Sequence, residues 1–197
     1  MTIDLAGCSD ADLASLALGG QQAAYGEIVK RHREAVYRLV RSQVGDADEA
    51  LDVTQNSFIA ALSNLARYDR SRPFRHWIAR IALNKCRDWA RRRAVRRFFS
   101  FAAPIHEAEN VPDEAIALDV QMSDAEELER VLRAIAALPA SLKEPLVLRA
   151  QEGLSHAQVA KVLGITEKAV EIRIYRARQR LMADLGSVEI LRRPKEG

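Results

Sequence analysis

Apolar residues recur every three or four positions through most of the chain, and this spacing constrains the fold more than any other feature. It predicts amphipathic α-helices over residues 10–17, 21–44, 46–65, 75–93, 123–139, 142–151, 155–164 and 166–181. Gly45, Gly153 and Gly164 stand where helices are predicted to end, and glycine is the residue favoured just past a helix C-terminus. No stretch shows the alternating pattern of a β-strand. The sequence therefore predicts an all-α protein.

Polar pairs predict where the last three helices begin. Ser141 with Glu144, and Ser155 with Gln158, have the spacing of capping boxes, in which each side chain bonds the backbone N–H of the other residue. Thr166 can cap the final long helix. These signals favour three separate helices over one continuous one.

Regular periodicity is lost after residue 100, where Pro104 and Pro112 interrupt the chain and acidic residues collect. A segment of this composition is typical of a linker. We therefore predict two helical bundles joined by an acidic linker, with the following division of the chain: a first bundle at 1–99, the linker at 100–126, a second bundle at 127–185 and a C-terminal tail at 186–197.

Charge is distributed unevenly along the chain, although the net charge is only +3. Residues 70–97 carry 11 basic and 1 acidic side chain, whereas residues 98–130 carry 1 basic and 9 acidic ones. Residues 153–182 add a net charge of +4. Positive stretches of this strength attract polyanions such as nucleic acids, so the near-neutral total conceals two candidate nucleic-acid contacts.

Several classes of protein are not expected. No stretch approaches the roughly 20 consecutive apolar residues that a membrane span needs, so we expect no membrane insertion. Cys8 and Cys86 lie far apart and outside any metal or redox spacing, which favours a reducing, cytoplasmic setting. No acidic residue stands at a metal-ligand spacing from any of the four histidines, and there is no Gly-rich phosphate loop. We therefore expect no metal, no cofactor and no catalytic site.

The stretch from Leu154 to Leu181 has the pattern of a helix-turn-helix, with Gly164 in the turn and the small Ala160 where the helices would cross. Val170, Ile174, Ala177 and Leu181 fall on one face of the second helix. The residues predicted to face DNA are Lys168, Glu171, Ile172, Arg173, Tyr175, Arg176 and Gln179. Such a helix can enter a major groove and bring its arginines to phosphates. The alternative is an ordinary helical hairpin with a solvated basic face.

A second candidate contact lies on the helix predicted over residues 75–93. Its apolar side comprises Ile78, Ile81, Ala82, Cys86 and Trp89, which we expect in the core. The opposite side carries a straight row of Arg80, Asn84, Arg87 and Arg91, and Arg75 begins the helix. The preceding loop offers Asn64, Tyr68 and Arg72. Arginines with interleaved aromatic rings and an asparagine suit unstacked bases. Alternatively, the arginines form a solvated face and the tryptophans belong to the core.

At this point the chain resembles a bacterial sigma factor of the sigma-70 family, specifically the short extracytoplasmic-function (ECF) type. The resemblance covers about residues 10–185. Four stretches carry it: AAYGEIVKRHREAVYRLV (23–40), GDADEALDVTQNSFIAAL (45–62), YDRSRPFRHWIARIALNKCRDWARRR (68–93) and ALPASLKEPLVLRAQEGLSHAQVAKVLGITEKAVEIRIYRARQRL (137–181).

The resemblance implies a role for each stretch. The first bundle would be region 2 and the second region 4, the reader of the promoter −35 element. The residues implied to dock on the coiled-coil clamp of the RNA polymerase β′ subunit are Asp52, Gln55, Asn56 and Phe58, although periodicity alone places Phe58 in the core. The loop Asn64 to Phe74 matches the segment that captures a flipped base of the −10 element. The helix that reads and melts this element is matched by Arg80, Asn84, Arg87 and Asp88.

The implied partners are the polymerase core through its β′ and β subunits, promoter DNA in duplex and single-stranded form, and an anti-sigma factor. The expected function is transcription initiation without catalysis. Two other functions are considered: a stand-alone helix-turn-helix regulator that needs no polymerase, and an enzyme acting on nucleic acid. The docking pattern at residues 45–62 argues against the first, and the scattered histidines argue against the second.

Overall fold

The computed structural model describes residues 4–102 and 124–185, and these residues contain helices and no strand, as predicted. The helices are α1 (Asp10–Leu18), α2 (Gln22–Val44), α3 (Ala47–Ser63), α4 (Phe74–Ala102), α5 (Asp124–Ala137), α6 (Ala140–Ala150), α7 (His156–Leu163) and α8 (Glu167–Leu185). Short 3₁₀ turns occur at Leu5–Gly7 and Leu65–Arg67. Most of the predicted linker, and the predicted tail at 186–197, lie outside the described residues.

The N-terminal bundle consists of α1–α4, with α2, α3 and α4 packed on one another. Its largest fully buried side chains include Leu13, Ile28, Leu39, Leu65, Phe74, Ile78 and Leu83. Trp89 and Cys86 are buried as predicted, and the indole Nε1 of Trp89 donates to Glu49 Oε2 at 2.7 Å. Removing these side chains from water is the main term that stabilises the bundle, at about 1.5–3 kcal/mol for each large side chain.

Helix α4 is longer than predicted. Its predicted end was near Arg93, but the helix continues through Ala102, because no glycine or proline intervenes before Pro104 to stop it. Three residues assigned to the linker, 100–102, are therefore helical, as are 124–126 at the start of α5.

The C-terminal bundle consists of α5–α8, and α7 with α8 forms the predicted helix-turn-helix. Ser155 and Gln158 form the predicted capping box, Gly164 ends α7 with φ at +69°, and the Thr166 hydroxyl accepts from Ala169 N at 3.2 Å. The face of α8 predicted to be apolar is buried throughout. The capping box predicted for Ser141 and Glu144 is wrong, because α6 begins two residues earlier than predicted, at Ala140 after Pro139, and has no side-chain cap.

The two bundles also pack against each other. Helix α2 contacts α5 and α6, and α4 contacts α7. The bundles approach each other closely at Gly45, which ends α2 with φ at +83°. A Cβ built on this residue would lie 2.8 Å from the Cβ of Ala136 in α5. Gly45 therefore serves two purposes, a left-handed helix end and a close crossing of two helices.

Substituting Gly45→Ala is expected to destabilise the protein more than Gly20→Ala. Both glycines have positive φ, so both substitutions carry the backbone cost of about 1–2 kcal/mol, but a Cβ at Gly20 meets no atom within 4 Å. Urea unfolding of the two variants measures the difference. Adding Ala136→Gly to Gly45→Ala should restore the extra free energy of unfolding that Gly45→Ala loses relative to Gly20→Ala, after correction for the cost of Ala136→Gly alone. Equal losses for Gly45→Ala and Gly20→Ala would contradict this assignment.

Candidate nucleic-acid interface

The outer face of α8 presents the residues predicted to contact duplex DNA. Six of the seven are exposed: Lys168, Glu171, Ile172, Tyr175, Arg176 and Gln179; Arg173 is half-buried. Lys168 Nζ lies 2.8 Å from Glu171 Oε2, and this hydrogen bond holds the pKa of the Glu171 carboxyl below its ordinary value. The face therefore combines one ion pair, exposed apolar groups and arginine, a mixture suited to base edges and phosphates together.

The predicted row on α4 also lies on one side of the helix. Arg80, Asn84 and Arg91 are exposed. Asn84 Oδ1 accepts from Arg87 Nη1 at 2.9 Å, and Arg91 pairs with Asp88. Arg80 makes no ion pair with any residue in the described parts of the chain. Arg80, Asn84 and Arg91 therefore expose hydrogen-bonding groups to solvent along three turns of α4.

Two arginines of α4 contact the C-terminal bundle, a feature that the sequence did not indicate. Arg87 binds Glu144 of α6 through two parallel bonds, Nε to Oε1 at 2.7 Å and Nη2 to Oε2 at 2.5 Å. Arg75 Nη2 donates to the carbonyl of Glu152 at 2.7 Å and to its Oε2 at 3.0 Å. The hydrogen bond to Glu144 raises the pKa of Arg87. No sequence signal could pair residues that lie 57 and 77 positions apart.

The loop before α4 is built around a cluster of rings. Tyr68 is buried, its ring centroid lies 5.2 Å from that of Phe74 and 5.3 Å from that of Trp77, and its hydroxyl donates to the Arg72 carbonyl at 2.6 Å. Burial raises the pKa of the Tyr68 hydroxyl. Asn64 is half-buried, with Nδ2 donating to the Ala60 carbonyl at 2.8 Å. A base cannot stack on Tyr68 in this conformation unless the ring leaves the cluster.

Helix α3 exposes a stripe of apolar side chains to solvent. Leu51, Ile59 and Leu62 are 57%, 56% and 49% exposed and fall on one face of the helix. The three- and four-residue spacing of apolar residues over 46–65 groups Leu51 and Leu62 with residues expected in the core, but the structure shows both outside. An exposed stripe of this kind, with polar residues along its edge, is typical of a protein-binding surface.

The four residues predicted to dock polymerase divide into two groups around this stripe. Asp52, Gln55 and Asn56 are exposed beside it, whereas Phe58 is buried and its carbonyl accepts from the Tyr25 hydroxyl. Phe58 therefore supports the helix from within, as its periodicity indicated, and does not present its ring to a partner.

Metal-binding and membrane-spanning features are absent from the described residues. These residues contain no cluster of histidine, cysteine and acidic side chains able to hold a metal ion, and no helix among them is long and apolar enough to cross a membrane. Burial raises the pKa of the Cys86 thiol to about 12, so it stays protonated and unreactive at neutral pH.

These features define an all-helical protein with a helix-turn-helix and a second basic helix in a separate bundle. Family models agree with both bundles: the model described as Sigma-70 region 2 matches residues 28–96, and that described as Sigma-70, region 4 matches residues 128–181. The chain belongs to the sigma-70 family of RNA polymerase sigma factors. Members of this family act in transcription initiation and are not enzymes.

Individual relatives indicate the ECF type. The chain is 40% identical to the RNA polymerase sigma factor CnrH of Cupriavidus metallidurans, over 88% of this chain and 94% of that protein. It is 36% identical to NccH of Alcaligenes xylosoxydans xylosoxydans, over 92% and 97%, and 35% identical to the ECF sigma factor SigD of Mycobacterium bovis, over 86% and 80%.

Solved structures agree. CnrH in complex with the cytosolic domain of CnrY has a TM-score of 0.65 at 37% identity, covering 89% of this chain and 96% of that one. RpoE in complex with the anti-sigma factor NepR, from Bartonella quintana, has a TM-score of 0.64 at 21% identity, covering 83% and 97%, and this match shows the shared fold.

The two faces of α8 should respond differently to truncation. Tyr175→Ala is expected to change the free energy of unfolding by less than about 0.5 kcal/mol, because the ring is exposed. Ile174→Ala should cost about 2–5 kcal/mol, because this side chain is buried. Chemical denaturation followed by far-UV circular dichroism measures both. A large loss for Tyr175→Ala would contradict the orientation of α8.

Proposed function

We propose that α3, α4 and α8 divide the work of this sigma factor between polymerase docking, −10 recognition and −35 recognition. The observation that carries the proposal is the separation of three exposed faces, one apolar and two basic, on helices within the family-matched residues. Neither basic face has the Gly-rich loop or metal cluster of an enzyme site. The faces can therefore bind their partners independently while the buried sides of the same helices hold the fold.

Helix α8 is the proposed −35 reader. Arg176 and its basic neighbours bind phosphates, which positions the helix on the duplex. Glu171 accepts from a cytosine amine and Ile172 contacts a thymine methyl, since these are the groups that such side chains match in the major groove. The Lys168–Glu171 pair holds the carboxylate ionised, and therefore an acceptor only, as that contact requires.

Helix α4 is the proposed −10 reader. Asn84 pairs with the edge of an unstacked base, and Arg80 and Arg91 bind the phosphates on either side. Because unstacked bases exist only in the open complex, these contacts stabilise open DNA and shift the melting equilibrium toward it. Asn64, Arg72, Arg75, Arg87 and Asp88 are proposed to belong to the same contact, and Tyr68 joins it only when its ring leaves the cluster with Phe74 and Trp77.

Helix α3 is the proposed polymerase contact. Leu51, Ile59 and Leu62 supply the apolar area, and Asp52, Gln55 and Asn56 supply polar contacts at its edge. An apolar centre with a polar rim is the usual anatomy of a protein interface. In this proposal Phe58 stays in the core, and the exposed Leu51, Ile59 and Leu62 supply the contact.

We also propose that an anti-sigma factor controls this chain and that it acts in the cytoplasm, where the polymerase is. The solved relatives support this: CnrH is bound to the cytosolic domain of CnrY, and RpoE to the anti-sigma factor NepR. Activity of the purified chain in lysate from uninduced cells tests it. Full activity there would contradict control by a bound inhibitor.

Charged substitutions in the α3 stripe should weaken polymerase binding. We expect Ile59→Glu with Leu62→Glu to weaken the affinity for purified core enzyme at least about tenfold, because each buries a charge in an apolar contact. Leu18→Glu is the matched control, since Leu18 is 43% exposed but lies on α1. Run-off transcription with core enzyme on the chain's own genomic templates measures whether each variant still directs promoter-specific transcription. No transcript with the unaltered chain, together with a duplex footprint made without polymerase, would favour a stand-alone regulator.

Substitutions in the two DNA-facing helices should act at different steps. Asn84→Ala is expected to slow promoter opening about tenfold while leaving closed-complex affinity within about twofold, because it removes a base contact made only in open DNA. Arg176→Glu should instead weaken the closed complex and its dependence on the −35 element. Permanganate footprinting measures opening, and filter binding at low temperature measures the closed complex. If Asn84→Ala lowers closed-complex affinity and leaves the opening rate unchanged, the role proposed for α4 is wrong.

A further inference from the structure

The segment before α1 is fixed to α2 by one arginine. Arg31 donates through Nη2 to the carbonyls of Leu5 at 3.0 Å and Ala6 at 2.8 Å, and through Nη1 to the carbonyl of Cys8 at 2.8 Å. A guanidinium carries five N–H donors in a planar fork, so one side chain can bind several carbonyls and fix their relative positions. The start of α1 therefore has a defined place on α2.

Asp10, in the first turn of α1, binds the next residue of α2. His32 Nε2 donates to Asp10 Oδ2 at 2.9 Å, and Asp10 Oδ1 lies 3.4 Å from Arg31 Nη1. The His32 side chain is 15% and the Asp10 side chain 27% exposed, so the pair is largely removed from solvent. A hydrogen bond shielded from water is electrostatically stronger than the same bond on the surface. The pair therefore holds the His32 ring in place.

His32 extends this contact into the ring cluster beneath the loop that joins α3 to α4, residues 64–73, called here the −10 loop. Its ring centroid lies 5.1 Å from that of Phe74, which is fully buried and also packs against Tyr68 and Trp77. The Tyr68 hydroxyl in turn binds the Arg72 carbonyl within the loop. Ring pairs have preferred geometries, so moving one ring displaces the next. An unbroken series of contacts thus runs from α1 through α2 to the loop.

Electrostatics agree with the short path between α1 and the −10 loop. Burial raises the pKa of the Tyr68 hydroxyl, and the negative charges of Asp10 and Asp69 raise it further. Asp10 therefore lies close enough to Tyr68 for its charge to act on the hydroxyl. Helix α1 also contacts the 3₁₀ turn at Leu65–Arg67, which lies within the loop.

The −10 loop has a second support among its own exposed residues. Asp69 Oδ1 accepts from the backbone N of Ser71 at 3.1 Å and from its hydroxyl at 2.6 Å, and Asp69 Oδ2 lies 2.9 Å from Arg72 Nε. Exposed ion pairs are screened by water and salt and contribute little. The contacts with the ring cluster are therefore the stronger constraint on the shape of the loop.

We propose that Asp10 and His32 are positioning residues for the −10 loop: without touching DNA, they hold Phe74 and Tyr68 so that the loop receives a flipped base in one geometry. The proposal rests on the assignment of this loop to the −10 element made above. A site discriminates between similar ligands only as far as its groups are held in place, since a displacement of about 1 Å can remove most of the advantage of the correct one. Weakening the pair should therefore lower discrimination between bases.

The test variant is Asp10→Ala. Asp10→Asn is the conservative variant, because the asparagine Oδ1 can still accept from His32. Asp12→Ala is the matched control. Asp12 lies in the same turn of α1 and forms its capping box with Ser9, so this substitution changes the net charge equally and weakens α1, but it lies outside the series of contacts that leads to the rings.

Base discrimination is measured on the holoenzyme. Each chain is assembled with purified core polymerase and binds a pool of single-stranded oligonucleotides that contain a randomised segment. Sequencing of the bound fraction gives the enrichment of each base at the most selective position. The measured quantity is the ratio of the enrichment of the preferred base to that of the second base.

We expect Asp10→Ala to lower this ratio at least about fivefold, while Asp10→Asn and Asp12→Ala stay within about twofold of the unaltered chain. His32→Phe provides an independent arm. It keeps a ring against Phe74 but loses the bond to Asp10, so it should lower the ratio as Asp10→Ala does. This arm decides the matter if Asp10→Ala loses helicity by circular dichroism.

An unchanged ratio in either folded variant would overturn the proposal. An equal loss in Asp12→Ala would also overturn it, because the effect would then come from the stability of α1. A loss in Asp10→Asn as large as that in Asp10→Ala would do the same, because charge and not the bond to His32 would be the cause. Enrichment of no base by the holoenzyme with the unaltered chain would contradict the proposed −10 role itself, so the two failures are distinguishable.

Discussion

The structure depends on the burial of one side of α4. Phe74, Ile78, Leu83 and Trp89 are removed from water against α2 and α3, and this fixes the rotation of the helix about its axis. The row of Arg80, Asn84 and Arg91 must then face outward, because residues three and four positions apart share one face. The apolar contacts thus determine where the basic side chains lie, and the arginines need no partner of their own to hold that place.

Burial of one face also fixes the orientation of α8 in the helix-turn-helix. Val170, Ile174, Ala177 and Leu181 are buried, so Arg176 and Tyr175 face outward. Helix α3 differs, because only some of its apolar side chains are buried in the core. The excess forms an exposed stripe, and a stripe that a stable fold does not bury is available to a partner.

Ionic contacts between the bundles have a different character. They pair arginines of the N-terminal bundle with glutamates of the other, and the buried carboxylates of Glu144 and Glu152 would otherwise lack compensating partners. Apolar burial therefore holds each bundle together, whereas part of the contact between the bundles is ionic. This division is consistent with a chain that binds polymerase and two DNA elements at separate faces.

Local patterns in the sequence were sufficient to predict most of the fold, because capping and periodicity depend on neighbours within a turn or two. They gave the all-α class, the capping box at Ser155, the turn at Gly164 and the buried face of α8. They also placed the exposed residues of α4 and α8. Only the tertiary structure decided that Leu51 and Leu62 face outward, that Tyr68 lies in a cluster of rings, and that Arg75 and Arg87 bind glutamates of the other bundle. These outcomes depend on which helices meet in space, and residues far apart in sequence carry no local signal of that meeting.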